Sequence, residues 1–174
     1  MEYRALTEEE IMILENRNCW AEAWNNVHVA DGFEPRFLHH VLFYGNVYLG
    51  VFDRSIEVSK GFMKHSGINN VTLRNVTIGD NCLIENVGNY INNYRVGNNC
   101  YISNVCTIET TEGATYGEGN LISVLNEVGD GNVVLFKDLN SQFAAFMVNH
   151  SHDKELKDAI RRLINEEIEF NTPE

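Results

Sequence analysis

The side chains of this 174-residue chain whose types could do chemistry are six histidines, four cysteines and one cluster of tyrosine, asparagine and arginine. An imidazole titrates near neutral pH and is the commonest general base, so His28, His39, His40, His65, His150 and His152 come first. His39 and His40 follow the helix-like Phe33–Leu38 segment and are expected to pack it. His150-Ser-His152-Asp153 has the look of a metal pair. Residues two apart on a helix do not share a face, however, and no third ligand lies nearby, so no metal site is expected. In Gly88–Arg95, the residues Asn89, Asn93, Tyr94 and Arg95 could bind a phosphate or a sugar edge, or bond across an oligomer axis. A purely structural role competes with both. Cys19, Cys82, Cys100 and Cys106 have no CxxC spacing and are expected as free thiols of a reducing cytoplasm.

Charge narrows the partners. Thirteen Lys and Arg against 25 Asp and Glu give a formal net charge of −12, whereas nucleic acids and anionic membranes call for a basic footprint. No apolar run approaches the roughly 18–20 residues of a membrane span. The first residues, MEYRALTEEE, have neither a basic nor an apolar leader region, so no signal peptide is read.

The elements that must position these groups begin with a helix. Thr7 and Glu10 have the spacing of a capping box, with Leu6 and Ile11 as its staple. Trp20, Trp24 and Val27 have helix-like spacing, and the two tryptophans are expected as core anchors. From Val41 the helical period gives way to short strands interrupted by Gly45 and Gly50.

The strongest signal is internal repetition. IGDNCLIENV at 78–87 and VGNNCYISNV at 96–105 share six of ten positions at an offset of eighteen. Within that interval Ile78, Ile84, Tyr90, Val96, Ile102 and Ile108 recur at every sixth residue. Six is neither a helical nor a simple strand period. Three sides of six make a triangular coil of eighteen, with the aliphatic residues inside and Cys82 above Cys100. No single coil can bury its own interior, so neighbours must stack. The corners explain why 11 of the residues 69–104 are asparagine, which enters the left-handed backbone region readily. Val128–Val134 has the same texture, and 109–127 reads as a degenerate coil or a projecting loop. Phe136, Leu139, Phe143 and Phe146, with Asp138 as N-cap, then Leu156, Ile160, Leu163, Ile164 and Ile168, predict a helical hairpin.

The Ile/Val-Gly-x-x-Cys pattern resembles the hexapeptide-repeat, left-handed parallel β-helix superfamily, whose type members are trimeric bacterial acyltransferases. DGFEPRFLHHVLFYGNVYLG, the repeats themselves and SVLNEVGDGNVVLFKDLNSQFAAF look, more closely, like an uncharacterised bacterial domain-of-unknown-function family built on that helix. Members of that family are longer, so the chain reads as the N-terminal portion of such a protein. The resemblance implies a mainly β fold in one structural domain: an N-terminal helical cap over 1–40, a β-solenoid over 41–136 and C-terminal helices over 137–170. It also implies a homo-oligomer (a trimer by analogy, with a dimer through the hairpin as the alternative) and a site in the cleft between solenoids. There a histidine acts as base, and His65 is the one that lies where the early coils begin. The zinc carbonic anhydrases of that fold need three patterned histidines, which His28 and His65 do not complete, Asn70 standing where another would be wanted.

Two function classes follow. One is a transferase-like protein acting on a sugar or nucleotide-sugar with an acyl-CoA donor. The other is a noncatalytic oligomeric scaffold or regulatory module. Coenzyme A carries phosphates, and an acidic chain with few cations in its coils hosts them poorly, which moves weight to the second class.

Overall fold

The computed structural model describes residues 2–111, 117–123 and 132–171. The chain is mainly β with three α-helices, and it divides into two compact units, Met1–Glu112 and Gly113–Glu174.

The first unit opens with β1 (Tyr3–Ala5) and α1 (Glu8–Asn16). The capping box is present: the Glu10 amide donates to Thr7 Oγ1, and the Thr7 amide donates to Glu10 Oε2 at 2.8 Å. Leu14 seals the helix onto the core. Then come β2 (Trp20–Ala21), β3 (Val27–Ala30), β4 (Leu38–Leu49), an arm of β5 (Ser55–Ser59) and β6 (Phe62–His65), β7 (Gly67–Ile78), β8 (Leu83–Glu85), β9 (Tyr90–Val96), β10 (Tyr101–Ser103) and β11 (Thr107–Glu109). Nine of these strands form one mixed sheet, in which β1 pairs antiparallel with β3 and the remaining pairs are parallel.

Parallel partners recur at close to the sequence repeat. Leu83 lies opposite Tyr101 and Leu73 opposite Ile91, each one full repeat further along the chain. Leu38 lies opposite Ile68, a wider interval, because the antiparallel β5–β6 arm is inserted between them. The chain turns where the backbone is left-handed, and those residues line up in files. One file runs His40, Asn70, Asn86 and Asn104 (φ +53° to +56°), a second Gly45, Asn75 and Asn93, a third Asn81 and Asn99. Backbone bonds join successive corners, Asn99 N–H to Asp80 O at 2.8 Å and Asn104 N–H to Glu85 O at 3.1 Å. Inside lie Phe43, Leu73, Ile78, Ile84, Ile91 and Val96. Cys82 is buried among them, and its thiol donates to Gly97 O at 2.9 Å.

Three expectations are corrected here. The interior residue of β9 is Ile91, not Tyr90: Ile91 lies opposite the inward Leu73 at the full repeat, so Tyr90 turns outward, and β11 then pairs with β9 one position short of the repeat, Ile108 opposite Ile91. Trp20 and Trp24 stand on no helix. Trp20 is in β2 and 49% exposed, whereas Trp24, in a 3-10 turn, packs against the core beside Phe43. His39 and His40 are exposed on β4, and His40 occupies a corner.

In the second unit β12 (Leu121–Ser123) pairs antiparallel with β13 (Asn132–Val134), and α2 (Ser141–Asn149) and α3 (Lys154–Asn171) follow. The expected hairpin therefore forms, but its first N-cap is Asn140, whose Oδ1 accepts from the Phe143 amide at 2.9 Å, and not Asp138. Val134, Phe136 and Ile164 make a small core with Phe143, Met147 and Ile160. Residues 112–116 and 124–127 of the 109–127 segment and residues 128–131 of the Val128–Val134 fragment lie outside the described residues. Among the described residues no helix is long and apolar enough to cross a membrane.

Candidate functional site

Strand alternation generates a site from the parallel register. Phe43, Leu73, Ile91 and Ile108 point inward or pack on the core, so the residue after each faces outward. Those residues are Tyr44, Arg74, Asn92 and Glu109, and they lie opposite one another across four parallel strands. Thr72 and Tyr90, two places earlier on β7 and β9, complete the same face. Glu22, just after β2, closes one side, its Oε2 accepting from the Gly45 amide at 3.5 Å. Together these seven residues line an open groove of about 460 Å³.

The groove's polar groups are partly committed. Glu109 accepts from Asn92 Nδ2 at 2.7 Å through Oε1 and from the Tyr90 hydroxyl at 3.1 Å through Oε2. The Glu109 carboxylate raises the Tyr90 pKa, which keeps that hydroxyl protonated as a donor. Asn92 is only 6% exposed, and its Oδ1 has no hydrogen-bond partner. A buried orphan acceptor costs about 1–3 kcal/mol, and this one has essentially no surface of its own open to solvent. Arg74 forms no ion pair among the described residues. The Trp20 ring stands 5.5 Å from that of Tyr44, extending the aromatic margin.

The sequence candidates lie elsewhere. His65 ends the β5–β6 arm, its Nδ1 bonded to Ser66 O at 2.8 Å and its ring stacked on Phe37 with centroids 3.9 Å apart. It does not line the groove. Asn89, Asn93, Tyr94 and Arg95 are spread around a turn of chain rather than gathered. Asn89 Nδ2 donates to Thr107 Oγ1 at 2.9 Å at one corner. Asn93 forms the next corner, its carbonyl accepting from Thr110 Oγ1. Tyr94 and Arg95 follow on the succeeding segment, where Arg95 lies opposite Thr77 and, through it, Tyr48. Arg74, and not Arg95, is the cation that reaches the groove.

The comparisons with known proteins bear on a domain, not on an activity. The family described as "Domain of unknown function (DUF4954)" matches residues 3–172. An uncharacterized protein of Treponema pallidum (strain Nichols) is 29% identical over 145 residues, covering 77% of this chain and 20% of that protein. The chain thus spans about a fifth of the length of the curated relative it matches. No solved structure matches. The resemblance to the hexapeptide-repeat acyltransferase superfamily is thereby corrected, because the matching family is one of unknown function and not a hexapeptide-repeat family. The Ile/Val-Gly-x-x-Cys repeat carries no membership by itself.

Proposed function

This chain belongs to the DUF4954 domain family, and on that premise we propose that it is a noncatalytic recognition module of a longer protein, whose groove takes a neutral, hydroxyl-rich ligand such as a sugar ring. The scaffold of this reading is a three-sided β-solenoid. The parallel offsets of one repeat, the three files of left-handed corners and the inward aliphatic residues support it.

Charge and geometry select the ligand class. One cation, Arg74, faces two carboxylates, Glu22 and Glu109, so the groove repels the phosphates of coenzyme A or a nucleotide. Tyr44, Tyr90 and the nearby Trp20 offer flat apolar faces with polar edges, suited to a ring whose faces are C–H and whose rim is hydroxyl. Hydroxyls both donate and accept, matching a mixed set of carboxylate, amide and guanidinium. The observation that carries the reading is the joint lining of one open groove by the rings of Tyr44 and Tyr90 and the polar groups of Glu22, Arg74, Asn92 and Glu109.

The test is calorimetric titration of the purified chain with N-acetylglucosamine, galactose and myo-inositol, each repeated on Arg74→Ala and Tyr90→Ala. Saturable binding of one of them that either variant weakens about tenfold, which is about 1.4 kcal/mol, is the expected result. No saturable heat with any of the three, at concentrations to tens of millimolar, overturns it. Acetyl-CoA is expected not to compete with the bound sugar in the same titration.

A further inference from the structure

In the second unit, cationic groups converge where the chain's acidity would lead one to expect carboxylates. A small concavity, open to solvent, lies between β13, the end of α2, the α2–α3 turn and α3. Its polar lining is Asn132, His150, Ser151, Lys157 and Arg161, over a floor that includes Val134. Among the described residues none that lines it is acidic, although the chain carries 25 Asp and Glu.

The cations are placed by local structure. Lys157 and Arg161 are four apart on α3 and therefore share a face. Neither pairs with a carboxylate among the described residues. Asp153, the nearest acid in sequence to the turn, is occupied as a cap, its Oδ1 accepting from the Leu156 amide at 3.1 Å. His150 Nδ1 lies 2.9 Å from Phe146 O. A carbonyl can only accept, so Nδ1 carries the proton and Nε2 becomes a donor only in the imidazolium form. The Ser151 hydroxyl is a further donor at the rim.

We propose that this concavity binds a tetrahedral oxyanion at its mouth, the head of a phosphate monoester, held by Lys157 and Arg161 with His150 and Ser151. The site is independent of the groove on the first unit and takes the opposite ligand class. Two unpaired cations answer a dianion. The planar Arg161 fork can donate to two oxygens at once, and Lys157 adds a point charge. Asn132, from the strand side, supplies an amide donor that fixes orientation. The other charged groups of α3 do not line the concavity, and β12 and β13 present no charged side chain to it.

The test is titration of the full chain with sodium phosphate, sodium sulfate and glycerol 3-phosphate, at an ionic strength held constant with NaCl. All three should bind saturably. Glycerol 3-phosphate binding more tightly than inorganic phosphate assigns the monoester as the source, and equal affinities assign the free ion. Lys157→Gln with Arg161→Gln should weaken binding at least about tenfold, His150→Gln should weaken it by less, and Arg162→Gln should leave it unchanged. Heats indistinguishable from NaCl overturn the proposal. So does a double variant that keeps wild-type affinity with a native circular dichroism spectrum. Should the double variant unfold, the single variants decide: wild-type affinity in both Lys157→Gln and Arg161→Gln overturns the proposal.

Discussion

Asn92 and Glu109 lie side by side on neighbouring parallel strands, with the amide of one donating to the carboxylate of the other at 2.7 Å. That contact orients the Asn92 side chain and leaves its Oδ1 without a partner. Asn92→Asp would place a second carboxylate against Glu109, and like charges directly across strands destabilise. The variant is expected to lose about 1–3 kcal/mol near neutral pH. Repulsion raises the folded-state pKa of the carboxylate pair above its unfolded value, so stability is regained as pH falls. Urea melts across the acid range check it, and a variant equally destabilised at pH 7 and at pH 4 contradicts the account.

Gly50, Gly79 and Gly97 stand at matching places on successive turns, yet they should respond differently to substitution. A Cβ on Gly50 would meet the Asp80 amide nitrogen at 2.8 Å, and one on Gly79 would meet the Asn98 nitrogen at 2.8 Å. Both obstacles are backbone of the following turn and cannot swing aside. A Cβ on Gly97 meets nothing within 4 Å. Gly79→Ala is therefore expected to cost about 1–3 kcal/mol through overpacking, and Gly97→Ala to stay within about 0.5 kcal/mol of wild type. Equal melting temperatures for the two variants would show that the turns do not approach this closely.

The scaffold was more legible than the site. Aliphatic residues at a fixed interval and asparagines at corners are local signals, because each turn meets the same packing demand as its neighbour. The outward turn of Tyr90 was not legible, since the choice between Tyr90 and Ile91 is made by the pairing of Ile91 with the inward Leu73 and not by either residue's own type. The groove escaped for a related reason. Glu22, Tyr44, Arg74, Asn92 and Glu109 come from five separate passes of the chain and form no motif. One signal would have found most of it: reading the residue after each interior Phe43, Leu73, Ile91 and Ile108 as a single outward file. The Gly88–Arg95 cluster misled in the opposite direction, because adjacency in sequence was taken for adjacency in space while a corner at Asn93 separates its members. In the second unit, side-chain caps decided an end that periodicity could not, so Asn140 and not Asp138 starts α2.

Glu85 gives the first unit an acid-sensitive contact. Its side chain is mostly buried and accepts from Lys64, from the Tyr101 hydroxyl at 3.2 Å and from Ser103 Oγ at 3.4 Å. The Lys64 ammonium, with help from the two hydroxyls, holds its pKa below the ordinary carboxylate value. A depressed folded-state pKa means stability that is present above the unfolded value of about 4.3 and is lost as pH falls through the folded one. Glu85→Gln should cost about 1.5–3 kcal/mol near pH 7, and its difference from wild type should shrink steadily below about pH 4.3. Because Lys64 belongs to the β5–β6 arm, the same variant should speed amide exchange in that arm relative to β7. A difference that persists at low pH would mean the ion pair is not the source of the stability.

The four cysteines should separate by reactivity in an order set by burial. Cys82 is fully buried, and burial pushes its thiol up to about 11. Burial also raises the Cys19 thiol. Since the thiolate is the reacting species, both are protected twice, by access and by ionisation. Cys106 is exposed and Cys100 half-buried at the end of the stacked turns. Treatment with an aromatic disulfide reagent near pH 8 is expected to modify Cys106 first, Cys100 more slowly, and Cys19 and Cys82 only at the rate of unfolding. Peptide mapping by mass spectrometry assigns each phase, and Cys106→Ser should delete the fastest one alone. Labelling of Cys82 at the rate of Cys106 in the folded protein would place Cys82 at the surface. The inward placement of Ile78, Cys82 and Ile84 would then fail with it.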